Sequence, residues 1–335
     1  MAVLSAEKQY IFEENRPFPS CHASTVAALP GGKALAAWFG GLHEKASDVA
    51  IWLSVRTDGQ WSVPIQAADE EGVAHWNPVL DVNGSDVSLY YKVGHEIADW
   101  HTRVIRSRDG GLTWSEPREL VPGDVGGRGP VRNKPIRLED GTLLAPSSVE
   151  RRDPDRPGQE IWHAFVDISP DDGRTWRQSE PVPMELDQYV GAEKWFAKGL
   201  IQPTLWSTGQ GNVHMLLRST EGSIFRSDSS DGGNTWSMAY ATALPNNNSG
   251  IDLVRLENGT LALVYNPVRG FATNSPRTPL VVSFSEDNGI SWGGEFVLED
   301  EQGEYSYPAI VARGNVLYIT YTWKRERIAF WEIIL

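Results

Sequence analysis

Cys21 is the only cysteine among 335 residues, so neither an internal disulfide nor a cysteine-based structural zinc site is available and packing must hold the fold. Positive charge is scarce. The 30 Lys and Arg stand against 44 Asp and Glu, a formal charge of −14, which argues against a nucleic-acid partner because phosphate contacts need clustered cations. No window approaches 18 continuous apolar residues, so no helical membrane span and no membrane partner are expected. The N-terminal stretch is acidic by Glu7 and lacks the apolar core of a signal peptide; the expectation is a cytoplasmic chain, unless a leader has been removed. The sequons at Asn83, Asn247 and Asn258 carry no weight without secretion. Apolar runs of helical period are missing too, and only 186–199 has room for a short helix. Neither an EF-hand loop nor HExxH occurs, so no cofactor and no metal are expected.

What is abundant is turn formers and aromatics: 32 Gly, 21 Pro and 14 Trp describe many short elements packed around rings. Internal similarity sets the architecture. SRDGGLTW (107–114), SPDDGRTW (169–176), SSDGGNTW (229–236) and SEDNGISW (285–292) share S-x-D-x-G-x-[TS]-W, and SVRTDGQW (54–61) is a decayed fifth copy. Their starts lie 53, 62, 60 and 56 residues apart, the length of a four-stranded antiparallel sheet with its loops. In each copy the Asp accepts backbone N–H groups across a tight turn, Gly allows positive φ and Trp packs under the hairpin. Asp109, Asp171, Asp231 and Asp287 are therefore turn residues. LPGGKALAAW, LEDGTLLAPS and LENGTLALVYN add a Gly turn entering an alternating strand. The pattern predicts an all-β, six-bladed β-propeller with five such hairpins, one domain over 1–335, with seven blades as the competitor. The ring would close where the C-terminal strands meet a strand at Lys8–Glu14, leaving no open edge.

Propeller ligands are expected at the channel mouth, on loops opposite the hairpin turns. FPSCHAST, GLHEKASDVAIW, GPVRNKPI, NNNSGID and EYSYPAI are the phrases too polar to be ordinary turns. The four complete repeats resemble the Asp boxes of the sialidase superfamily in its six-bladed form, which implies a glycosidase acting on a carbohydrate partner. That family holds a sugar carboxylate with three arginines, the first in an F/Y-R-I-P phrase. Here RPFPSCHAS stands at the matching place, with Pro17 where the Arg belongs and Arg16 offset by one. Arg218 in HMLLRSTEG and Arg277 in PRTPLVV match the second and third. Asp48 in DVAIW matches the acid/base Asp, with Glu44 close behind. Tyr305 in EYSYPAI matches the nucleophilic Tyr, with Tyr307 the alternative. Gln202 in GLIQPTLW stands where the activating Glu belongs, and a Gln cannot take a proton. A neutral Tyr suits a sugar whose anomeric carbon bears a carboxylate. A phenol, with a reference pKa of about 10, needs a base near neutrality. With Pro17 and Gln202 altering clamp and base, the resemblance implies a related exo-acting enzyme for a terminal acidic or deoxy sugar. His22, Glu44, Asn133, Lys134, Glu150 and Asp252 are the polar residues placed to take over roles, Glu150 with Asp48 as a carboxylate pair.

Each residue has a plainer reading. His22 beside Cys21 could be a core histidine, and Arg218 could pair with Glu221 at the surface. Glu304, after Asp300 and Glu301, reads as a solvated acid. Of Tyr305 and Tyr307, one is expected to face the channel and the other away. Trp38, Trp76, Trp100 and Trp195 are candidates for sugar stacking. Two other functions compete: a uronate lyase using His22, Tyr305 and Lys134, and a non-catalytic carbohydrate-binding propeller. Arg128, Arg132, Lys134, Arg218 and Arg277 fall in or near the polar phrases, so an acidic chain can present a locally basic pocket.

Overall fold

The structure, a computed structural model, describes residues 3–13, 16–155, 158–185, 197–270 and 276–335. The chain opens on β1 (Ser5–Tyr10) and then builds sheets in sequence order. The first contains β2 (Ser20–Ala28), β3 (Ala34–Gly41), β4 (Ala50–Thr57) and a broken outer edge of β5 (Gln60–Trp61) and β6 (Ile65–Ala68). The second contains β7 (His75–Asn83), β8 (Asp86–Val93), β9 (His101–Ser107) and β10 (Arg118–Glu119). The third runs through β11 (Ile136–Arg137), β12 (Leu143–Arg152), β13 (Glu160–Ser169) and β14 (Arg177–Gln178). The fourth has β15 (Ala197–Gly209), β16 (Asn212–Ser219), β17 (Ser223–Ser229) and β18 (Tyr240–Pro245). In the fifth are β19 (Asp252–Arg255), β20 (Leu261–Tyr265), β21 (Leu280–Ser285) and β22 (Gly293–Glu299). The sixth takes β23 (Tyr305–Arg313), β24 (Val316–Trp323) and β25 (Arg327–Ile334), and its outer strand is β1, paired antiparallel from Ser5↔Ile334 to Tyr10↔Ala329. Among the described residues these are six blades, and the two ends of the chain share the last one. The closing strand starts three residues before the expected Lys8 and ends at Tyr10. The expected helix at 186–199 falls mostly outside the described residues, and its last part, Ala197–Gly199, is strand.

Four box turns repeat one hydrogen-bond pattern. In the second blade Asp109 Oδ1 accepts from Leu112 N at 3.1 Å and Thr113 N at 2.9 Å, while Oδ2 takes the Thr113 hydroxyl at 2.6 Å. Asp171, Asp231 and Asp287 do the same. In the decayed copy the turn is made by two left-handed residues, Asp58 (φ 51°) and Gly59 (φ 79°). The box tryptophans do more than cover their own hairpins. Trp114 packs into the apolar cluster of the first blade, Trp176 meets Tyr90 of the second edge-on at 6.3 Å, and Trp61 meets Phe330 of the sixth at 5.1 Å. Each ring thus cements its blade to the preceding one. The core is distributed accordingly, in clusters between neighbouring blades. Full burial of one such apolar side chain is worth roughly 1.5–3 kcal/mol.

The innermost strands carry the feature that builds the site. Four of them break register at a residue with positive φ: Ala23 (54°), Asn77 (40°), Gln202 (51°) and Tyr307 (52°). A bulge bends its strand and re-aims the side chains around it. In three of the four the next residue is Pro, at 78, 203 and 308, which cannot donate to a ladder and so tolerates the break. The box turns join third to fourth strands, at one end of the blades; the bulges lie toward the other.

Candidate functional site

At the end opposite the boxes, Tyr307 is ringed by guanidinium groups. Arg132, Arg218 and Arg277 lie 5.3, 5.8 and 5.6 Å from its ring centroid. They come from the segment entering the third blade, the end of β16 and the segment entering β21. Convergence from separate blades is what the ring topology provides.

Arg218 is buried, and its hydrogen-bond partners among the described residues are all neutral. Nε donates to Asn248 Oδ1 at 2.9 Å, and Nη1 donates to Gln202 Oε1 at 3.1 Å and Tyr307 Oη at 3.0 Å. The guanidinium also lies 5.6 Å over the ring of Trp162. Trp162 is fixed by an unusual joint in which β13 pairs parallel with β15, Trp162 opposite Gly199. Gly199 has φ 141°, and a Cβ there would stand 2.2 Å from the Trp162 carbonyl oxygen, so only Gly fits. Arg132 is 1% exposed and donates through Nη2 to the carbonyls of Tyr307 and, at 2.7 Å, Pro308. It thereby holds the bulge that aims Tyr307. The segment bearing Arg277 is pinned by Asn247 Nδ2 on Pro276 O and Asn266 Nδ2 on Pro279 O at 2.8 Å.

Glu304 is no solvated acid. It accepts from Arg277 Nη1 at 2.9 Å, from Arg325 Nε on both oxygens and from Ser306 Oγ at 3.0 Å. Burial opposes its ionisation, but Arg277 and Arg325 outweigh that and hold the carboxyl below its usual range. Arg325 Nη1 reaches on to Glu44 Oε2 at 2.7 Å. Glu150, at the rim end of β12, is pushed up to about 7, chiefly by burial; Arg218 pulls it down, and Glu160 and Glu44 push it up. A carboxyl titrating near neutrality can deliver a proton and take it back.

Several expected site residues sit elsewhere. Tyr305 is fully buried in the apolar cluster between the fifth and sixth blades, and burial pushes its phenol up to about 12, so it is packing, not a nucleophile. Residues two apart share a face of a regular strand; the bulge at Tyr307 is what separates the pair. His22 does line the pocket, its ring 4.3 Å from that of Tyr307, but burial first, and then Arg325, Arg277, Arg132 and Arg218, hold it well below its ordinary pKa. It is a neutral, weakly basic wall. Lys134 and Asp252 form a largely buried ion pair at 2.9 Å, and Asp252 also takes the Thr204 hydroxyl at 2.8 Å and Ile310 N at 2.9 Å, so both act as struts between blades. Asn133 is another strut, its Nδ2 on the carbonyls of Gln202 and Pro203 at 3.0 Å. Asp48 is exposed and accepts Leu42 N at 2.9 Å, bracing its own loop. Arg16 donates to Phe18 O and Pro19 O and stays with its turn. Trp38, Trp76 and Trp100 are core, and Trp195 lies outside the described residues. Gln202, Arg218, Arg277, Glu44, Glu150, His22 and Tyr307 are the expected residues that the fold brings together.

Sequence reasoning missed Arg325, Trp162 and Glu160, and flagged NNNSGID without singling out Asn248. The signal for the ring of bulges was nevertheless present: WNP at 76–78, IQP at 201–203 and SYP at 306–308 form a second repeat in phase with the boxes.

Residues 32–319 match the family model of the BNR repeat-like domain. A sialidase of Clostridium perfringens is 27% identical over 99 residues, a stretch that is 26% of this chain and 24% of that protein. Among solved structures, a protein of unknown function from Dyadobacter fermentans superposes with a TM-score of 0.75 at 16% identity, covering 100% of this chain and 99% of that one. The K499G mutant of NanB sialidase from Streptococcus pneumoniae gives 0.75 at 14% identity, over 97% of this chain and 70% of its own. Trypanosoma rangeli sialidase in complex with the inhibitor DANA gives 0.73 at 14% identity, over 99% of this chain and 60% of its own. At such identities the superpositions speak to the fold alone.

Proposed function

Because this chain belongs to the BNR repeat-like domain family and folds as the sialidases do, we propose that it is an exo-acting glycoside hydrolase that removes a terminal acidic sugar from a glycan. The observation that carries the reading is Arg218: a buried guanidinium whose hydrogen-bond partners among the described residues are all neutral, donating to the Tyr307 phenol and near enough to Glu150 to lower its pKa. A buried cation without a bonded acid favours an anionic ligand. The part-exposed Tyr307 ring offers an apolar surface to a sugar ring.

In this reading Glu150 is the general acid that protonates the leaving oxygen, because it keeps its proton up to about pH 7. Tyr307 faces the anomeric carbon; its oxygen bonds to that carbon as the glycosidic C–O bond breaks and the leaving oxygen takes the Glu150 proton. The phenol proton passes to water, and the N–H of Arg218 on the phenol oxygen stabilises the negative charge that develops there. Gln202 orients Arg218 and takes no proton. With Pro17 where the family phrase has its Arg, the first blade offers the pocket the neutral His22, 4.3 Å from the Tyr307 ring, in place of a first arginine. The substrate acid is then gripped by a clamp unlike that for sialic acid, which favours another sugar acid.

The test is a hydrolysis screen over aryl α- and β-glycosides that includes sialosides, uronides, rhamnosides and fucosides. Release of aryl alcohol that is lost in Glu150→Gln supports the reading. An unsaturated uronate product absorbing in the ultraviolet would make the protein a lyase instead, although Tyr305 and Lys134 of the trio expected for that chemistry are held in packing and strut roles. Binding of a sugar acid without turnover of any glycoside would leave a lectin-like propeller.

A further inference from the structure

The cations of the pocket are of two kinds. Among the described residues no acid is hydrogen-bonded to Arg218, whereas Arg277 and Arg325 belong to a continuous row. Glu44 Oε2 meets Arg325 Nη1 at 2.7 Å, Arg325 Nε meets Glu304 Oε2 at 3.0 Å, and Glu304 Oε1 meets Arg277 Nη1 at 2.9 Å. The row runs from the first blade through the sixth to the fifth. Two acids and two bases cancel, so it offers no net attraction to an anion. Its members remain reachable: side-chain exposure is 36% for Glu44, 32% for Arg325, 31% for Glu304 and 15% for Arg277. They are also pre-oriented. Arg325 sits in a turn where both Lys324 (φ 52°) and Arg325 (φ 55°) are left-handed, and Cys21 N donates to its carbonyl at 2.9 Å, seating the turn against the start of β2 beside His22. Charge-assisted bonds hold the guanidinium plane from both sides.

A neutral, fixed row of alternating acceptors and donors complements neighbouring hydroxyl groups. Each hydroxyl can give its proton to a carboxylate and accept an N–H from a guanidinium, uses that water-exposed ion pairs leave open. Building on the reading of the pocket as a sugar site, we propose that the Glu44–Arg325–Glu304 row reads a vicinal diol on one edge of the bound ring, while Arg218 reads the anion. The pocket then selects for two chemical features with separate parts.

Calorimetric titration separates them. N-acetylneuraminate, D-glucuronate and D-galacturonate are titrated into the wild-type protein, and the tightest binder is compared with tetrahydropyran-2-carboxylate, which keeps ring and acid and lacks the hydroxyls. Arg325→Lys retains the charge and loses the planar fork; Glu44→Gln changes an exposed loop residue and leaves the blades alone. Both variants are expected to weaken the sugar acid tenfold or more and to change tetrahydropyran-2-carboxylate by less than twofold, whereas Arg218→Lys weakens both acids alike. Equal weakening of the two ligands by Arg325→Lys and Glu44→Gln, or no weakening of either, overturns the proposal and leaves the sugar site standing. Failure of every sugar acid to bind the wild-type protein overturns the sugar-site reading itself, and this proposal with it.

Discussion

One nitrogen of Arg218, Nη1, donates both to the phenol oxygen of Tyr307 at 3.0 Å and to the amide oxygen of Gln202 at 3.1 Å. The guanidinium therefore stands between the residue placed as nucleophile and the residue placed where a base would be. Tyr307→Phe removes the oxygen and leaves the ring against His22 and the three arginines. The expected outcome is a fall in kcat of about a hundredfold or more with an unchanged melting temperature. Tyr305→Phe is the control: its buried hydroxyl has no hydrogen-bond partner among the described residues, so activity stays within about twofold and stability does not fall.

Glu150 makes a pH prediction with a definite sign. Its folded pKa, about 7, lies above the ordinary 4.5, so the native state binds the proton more tightly than the unfolded chain does. Below about pH 4.5 the group is protonated in both states; as pH rises through about 7 the folded state must carry a buried charge and loses stability. Glu150→Gln is neutral to stability at pH 4 and stabilising at pH 8, as read by urea unfolding. The same variant removes the alkaline limb of the activity profile along with most of the activity.

Gln202→Glu places a carboxylate where Arg218 Nη1 already donates. The new acid neutralises the cation, and the affinity for an anionic monosaccharide falls by about tenfold or more, measured by calorimetry at low and high salt. Unchanged affinity would mean that the anion is read elsewhere.

Asp171 tests the opposite end of the molecule. Its carboxylate accepts from Thr175 N at 2.8 Å and the Thr175 hydroxyl at 2.7 Å, with Ser169 and Arg174 N adding to them, and these bonds pull its pKa down to about 2. The stabilisation is present above the ordinary 3.8 and lost as pH falls through about 2. Asp171→Ala therefore lowers the melting temperature at neutral pH, by an amount that shrinks at pH 2, and leaves kcat unchanged at pH 7.

The fold was legible because box turns are local: Asp109 and Thr113 are four residues apart, and their chemistry can be read from that spacing. Blade number and ring closure follow from counting them. The site was less legible, because it depends on where bulges aim side chains and on which partner each charge meets. Lys134 and Asp252 look like binding residues in sequence, yet they neutralise each other across the channel. Glu304 looks like one acid in an acidic loop, yet Arg277 and Arg325 converge on it. Arg325 follows Lys324 in an ordinary polar turn, and only the joint between β24 and β25 brings it to the pocket. Tyr305 and Tyr307 share the favoured phrase, and only a backbone angle at Tyr307 decides between them.

The pairing of β1 with β25 also orders events in time. Ser5 is made well before Ile334, so the strand that completes the sixth blade waits through the synthesis of the five intervening blades for its partner. Until then the ring is an open arc whose first blade lacks a neighbour, and Phe12, Phe18 and Trp38 have no Phe330 or Ile328 beside them. Loop closure over such a span makes the last step slow relative to the folding of single blades. His22 and Glu44 come from the first blade and meet Tyr307 and Arg325 of the sixth across that gap, so the pocket is complete only after the seam has shut.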